Sequence, residues 1–145
     1  MTLKYQSEID QLAIKTACPD SATQPVADFE AFRFSFEPIT HQHNFLPNVV
    51  YDRLTGQPFN YENCADEIKC KRCGASYYNN LDKAQKAWNG LAEQVRKKLG
   101  YTHLAHGQLK QADGLMRQPD KYGHFGFYES STAQLNLQFQ LLTTL

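Results

Sequence analysis

Leu81, Ala84, Trp88, Leu91, Val95 and Leu99 recur at three- and four-residue spacing and form one continuous apolar stripe. No other feature restricts the fold as strongly, because a helix with one apolar stripe must lay it on a surface. Asn80 can cap the start, Asp82 suits the first turn, and Arg96, Lys97 and Lys98 suit the last. Gly100 is placed to end the helix in a left-handed conformation. Gly90, inside the stripe, costs only ~1 kcal/mol against alanine. The pattern predicts one long helix over 81–99.

The surface it needs is written around it in period two. Phe29 to Glu37 alternates, with Phe32, Phe34 and Phe36 on one side and Arg33, Ser35 and Glu37 on the other. That alternation predicts a strand with its phenylalanines inward. Further strands are expected at 46–51, 102–109, 115–117, 124–129 and 134–141, divided by turn signals at Ala112-Asp-Gly, Gln118-Pro-Asp-Lys and Ser130-Ser-Thr. In the last strand Leu135, Leu137, Phe139 and Leu141 face in, and Gln134, Asn136, Gln138 and Gln140 face out. Ser7 to Ala17 reads as a short helix capped by Ser7 and stopped by Cys18-Pro19. Residues 19–28 form a polar connector, and 41–61, with Pro47 and Pro58, read as irregular. The fold class is α+β: a mostly antiparallel sheet packed against one long helix, with a short N-terminal helix and a loop-rich region that zinc could stabilise. One domain spans 1–145, its first 28 residues being helix and connector and 29–145 the α+β core.

Composition agrees with a folded domain. Of the 145 residues 41% are hydrophobic, and nine Phe, eight Tyr and one Trp supply ample apolar area to offset chain entropy. No apolar run approaches the ~18 residues of a membrane span. The opening residues break their apolar positions with charge, unlike a secretory leader. These features predict a cytoplasmic protein that does not engage membrane.

Net charge is zero, yet residues 1–66 hold four Lys/Arg against nine Asp/Glu, whereas 67–145 hold eleven against six. Lys69, Lys71 and Arg72 could contact phosphates of a nucleic acid. Docking of oppositely charged halves, or plain solvation, accounts for the same asymmetry.

Four cysteines stand at 18, 64, 70 and 73. A reducing cytosol argues against disulfides, and Cys70-Lys-Arg-Cys73 has the spacing of half a zinc site. Glu67-Ile-Lys-Cys-Lys-Arg-Cys-Gly resembles the first half of a zinc ribbon, with a glycine that lets backbone amides turn toward sulfur and cations that favour thiolate. No second Cys-x2-Cys follows, so no family follows from it. Cys64, Cys18, or the pair His41 and His43 would have to complete the set, giving metal candidates Cys64, Cys70, Cys73, His41 and His43. Four protein ligands would make the zinc structural. The same cysteines also serve as small semi-buried packing groups.

Catalytic signatures are absent from the sequence: no Walker motif, His-Glu-x-x-His, Gly-x-Ser-x-Gly or paired His-x-Thr/Ser occurs. The reading therefore leans away from an enzyme. It favours an accessory module that binds another protein through His124, Tyr128 and the uncharged row Gln134, Asn136, Gln138 and Gln140, which lacks the Lys or Pro that usually guards a strand edge. The alternatives are a nucleic-acid-binding domain using a knuckle-like loop with Lys69, Lys71 and Arg72, and a small metal-dependent hydrolase on His41, His43 and the cysteines.

Overall fold

The alternation at Phe29–Glu37 is a strand, β1 (Phe29–Ser35), and five further strands join it: β2 (Ala75–Tyr78), β3 (His103–Leu109), β4 (Gly114–Met116), β5 (His124–Glu129) and β6 (Phe139–Thr144). The computed structural model describes residues 1–57 and 59–145; Pro58, read as part of the irregular stretch, lies outside them. All six strands form one antiparallel sheet in the order β4-β5-β2-β1-β3-β6. The helices are α1 (Gln6–Gln11), α2 (Asn48–Thr55), α3 (Asp66–Arg72), α4 (Leu81–Asn89), α5 (Glu93–Leu99) and α6 (Leu135–Gln138). The α+β class and the antiparallel sheet are as expected.

The sheet curls around one face. Tyr77 on β2 and Phe139 on β6 are three strands apart, on the order of 14 Å in a flat sheet, yet their ring centroids are 5.8 Å apart. Ala31, Tyr77, Phe125, Phe127, Leu109 and Phe139 fill this concave side. Leu135 of α6 and Phe45 of the loop before α2 close it. At Gly107 on β3 an added Cβ would meet the Phe139 ring at 2.5 Å, so only glycine lets β6 lie this close.

β1 corrects the expected facing. Its alternation is real, but Ala31, Arg33 and Ser35 are the buried set, while Phe32 and Phe34 are half-buried on the other face. That second face is itself covered: Phe34 packs on Trp88 of α4, on Tyr78 and on Tyr101. Both sides of the strand are therefore covered, and side-chain bulk does not reveal the deeper one. Arg33, 4% exposed, lies over the rings of Tyr77 and Phe45, whose faces offset part of its desolvation.

The long helix is two. α4 and α5 are separated at Gly90-Leu91-Ala92, where Ala92 is extended. A straight helix over 81–99 would run on the order of 28 Å, longer than the strands beneath it. The bend brings the Leu99 carbonyl to the Tyr51 hydroxyl, which donates to it at 2.6 Å, and leads the chain into β3. The predicted end signals hold: Asn80 accepts from the Lys83 amide, and Gly100 adopts φ 74°.

Other elements shift for local reasons. The expected strand at 46–51 is the start of α2, with Pro47 before its first turn and left-handed Gly56 after its last. The first helix ends at Gln11, where Ala13 turns to positive φ and the Lys15 amide reaches Asp66. Gly74-Ala-Ser-Tyr-Tyr, read as a turn, contains β2. The last segment is α6 followed by β6, so Leu137 is 73% exposed instead of facing inward.

Candidate functional site

The four cysteines are divided differently from the expectation. Cys18 and Cys70 form a disulfide across a separation of 52 residues, correcting the reading that no disulfide forms. Cys70-Lys-Arg-Cys73 is no knuckle loop either; it closes α3, whose acidic residues stand in its first turn and Lys69, Lys71 and Arg72 in its last. Cys73 is packed with Leu3, Ile9 and Val49, and burial pushes its thiol up to about 11, so it is neutral at physiological pH. Cys64 lies against the Tyr61 carbonyl. His41 and His43 belong to an aromatic cluster with Phe36 and Tyr51, and His41 Nδ1 accepts the His43 amide at 3.0 Å. Among the described residues no three His, Cys, Asp or Glu side chains are arranged to hold a metal ion.

The partner-binding candidates also separate. Tyr128 is buried; its hydroxyl donates to the Cys70 carbonyl at 2.9 Å and accepts from Arg117 Nε at 3.1 Å. Arg117 Nη2 reaches Cys70 Sγ, so arginine, tyrosine and disulfide form one knot. Gln138 donates to Asp113 and to the Gln108 carbonyl, an internal role. Gln134, Asn136 and Gln140 are exposed. Gln140 lies on β6, the last strand of the sheet, whose outer edge pairs with no other strand among the described residues. Beside it an open groove of about 320 Å³ is lined by His106, Gly107, Lys110, Leu137 and Gln140.

A larger cleft opens on the opposite side of β1. β1 and β2 share one residue pair, Phe32 with Tyr78, and part beyond it. A cavity of about 600 Å³ lies between α3, β2 and β5, with Lys71, Arg72, Arg117 and His124 on its wall. A second, of about 300 Å³, is lined by Phe34, Tyr51, Tyr78 and Tyr101, with Arg33 also on its wall. Asn48, Arg72 and Ser76 line both, so the two are halves of one cleft.

Its charges are unevenly matched. Lys71 pairs with Glu67 on the surface, and Arg72 pairs with Asp52 and Tyr61 while stacking on Phe59. The Arg117 hydrogen bonds go to a hydroxyl and a sulfur, neither of which cancels its charge. Arg33 Nη1 is buried and has no hydrogen-bond partner among the described residues. His124 is held below its ordinary pKa by burial and is neutral at pH 7. Burial raises the Tyr101 hydroxyl and takes Tyr51 to about 12, so both remain protonated.

Ser76 Oγ lies 3.1 Å from His124 Nε2, and Asp120 Oδ2 lies 4.0 Å from His124 Nδ1. The three residue types are those of a hydrolytic triad, but the geometry differs from one. Asp120 Oδ1 accepts the Tyr122 and His124 amides and shapes the turn, and its other oxygen is beyond hydrogen-bond reach of the imidazole. Ser76 and His124 are diagonal neighbours on paired strands, which accounts for their contact.

The sequence reading named His124, Lys71 and Arg72 and missed Arg33, Arg117, Asn48 and Tyr101. An arginine set inside a run of phenylalanines was the signal available for Arg33. No protein-family model matches the chain, and neither a curated protein nor a solved structure is significantly similar to it. No helix among the described residues is long and apolar enough to cross a membrane.

Proposed function

We propose that the protein is a non-enzymatic interaction module that takes an extended segment of another protein along the outer edge of β6. The observation that carries this reading is the edge itself. Phe139–Thr144 contains neither charge nor proline, the two commonest guards of an open strand. An added antiparallel strand would satisfy the edge amides and carbonyls, while alternate side chains give specificity. Leu142, 46% exposed, offers apolar contact, and the groove beside Leu137 offers a place for a partner side chain. The Cys18–Cys70 bond favours a non-reducing compartment over the cytosol. Zinc plays no part in this reading.

The test uses Leu142→Lys and Gln140→Lys, which add the missing guards at exposed positions. A partner that copurifies with the wild type is expected to be lost from both variants while their melting midpoints stay unchanged. The β6 amides should become protected from hydrogen exchange in the complex. Equal retention of the partner by the variants, or unchanged β6 exchange, would overturn the reading. Self-association through β6 without a second protein would overturn the choice of occupant.

A further inference from the structure

We propose that the cleft between α3, β2 and β5 binds a free mononucleotide, with its phosphate toward Arg117 and Lys71 and its base among the rings of Phe34, Tyr78 and Tyr101. The site is separate from the β6 edge and independent of what that edge binds.

The difference between the halves of the cleft points to a ligand with two unlike ends. One half presents cationic and hydrogen-bonding groups: Lys71, Arg72, Arg117, His124 and Ser76. The other presents aromatic faces and edges. Arg72, Asn48 and Ser76 stand at the junction and can serve the polar middle of a ligand, as a ribose would require. The two volumes, about 600 and about 300 Å³, lie in the ~300–1,000 Å³ range of small-molecule sites.

The charges favour an anion at the first half. Glu67, paired with Lys71, and Asp120, which keeps its charge although two backbone amides bond it, also face it, so three cations stand there against two carboxylates. Arg117 is held in place by Tyr128 and the disulfide while its charge stays uncompensated, so its guanidinium is ordered before a ligand arrives. Asp52, on the wall of the aromatic half, is taken by Arg72. Arg33 borders that half, but its guanidinium lies over Tyr77 and Phe45 on the core side of β1.

Trp88 is the single tryptophan of the chain and packs on Phe34 at 5.2 Å, so its fluorescence reports on the aromatic half. The full chain, with its disulfide intact, is titrated with AMP, adenosine, ribose 5-phosphate and inorganic phosphate, by Trp88 emission and by calorimetry. AMP is expected to bind more tightly than any of the three fragments and to change Trp88 emission. Arg117→Ala should weaken AMP about tenfold, the worth of a charge-assisted hydrogen bond, and leave adenosine unchanged. Because Arg117 also touches the disulfide, Lys71→Ala, at an exposed position, supplies a second reading and should weaken AMP in the same sense. The L142K variant should bind AMP as the wild type does. Absence of AMP binding at millimolar concentration would overturn the assignment, as would equal affinity for AMP and adenosine. A single-stranded oligonucleotide binding more tightly than AMP would overturn it in favour of a nucleic-acid site.

Discussion

The two edges of the sheet are managed in opposite ways. At the β4 edge the connector lies against the strand: the Thr23 amide donates to the Met116 carbonyl at 2.9 Å, and the Met116 amide donates to the Thr23 carbonyl at 2.7 Å. Prolines 19 and 25 flank that bridge, and the disulfide from Cys18 to Cys70 ties the connector to α3. The Arg117–Tyr128–Cys70 knot lies just behind it. At the β6 edge nothing comparable is present among the described residues: a strand of apolar and uncharged polar side chains meets solvent. One edge thus has covalent and hydrogen-bonded protection that the other lacks among the described residues, the asymmetry on which the proposed pairing at β6 rests.

The largest expected effect comes from cutting the tether. The chain-entropy estimate for closing a 52-residue loop is ~4 kcal/mol. Reduction, or Cys18→Ser with Cys70→Ser, should lower unfolding free energy in urea by about that much. Hydrogen exchange at Thr23 and Met116 should quicken more than exchange in β6. If β6 loosens equally, the edges are not independently held.

Gly107→Ala tests the other side. The new methyl would meet the Phe139 ring and the Gln138 carbonyl, so β6 must shift away from β3. Overpacking of this kind costs ~1–3 kcal/mol. The loss should appear as faster exchange in β6 with little change in β4. A crystal structure of the variant with β6 undisplaced would contradict the close approach.

The smallest effect concerns Glu129, which pairs with Gly114 at the guarded edge. Burial raises its pKa, and among the described residues Oε2 has no hydrogen-bond partner, although Lys4 Nζ lies 3.5 Å away. The folded state therefore binds the proton more readily than the unfolded chain, and stability attributable to this group falls as pH rises through its folded pKa. Glu129→Gln should raise stability at pH 7.5 on the order of 1 kcal/mol, because it removes a buried charge that Lys4 offsets only in part. The gain should shrink below pH 4.5, where the wild-type carboxyl is protonated in both states. A constant difference across that range would show that charge burial is not its source.

Much of the sheet was legible because β1 and β5 follow period two and β3 and β5 are bounded by turn residues. His124–Glu129 matches its predicted limits, with Phe125 and Phe127 buried. The facing of β1 was not, since aromatic residues pack on both sides of a sheet sandwiched between loops and helices. The helix break at Gly90 was not either: local propensity favoured continuity, and the turn toward β3 is set by the Tyr51–Leu99 contact 48 residues apart. The aromatic half of the cleft gathers Phe34, Tyr51, Tyr78 and Tyr101 from four separate segments, so no linear motif announces it. The disulfide was hidden by an assumption about compartment and not by any property of the residues.

The cystine also makes a closed ring of residues 18 to 70, and β1, the strand between β2 and β3, lies inside that ring. A protease that nicks the chain anywhere within it leaves two pieces still covalently joined. The severed molecule gains only the mass of one water and stays in one piece until a thiol reagent releases the halves.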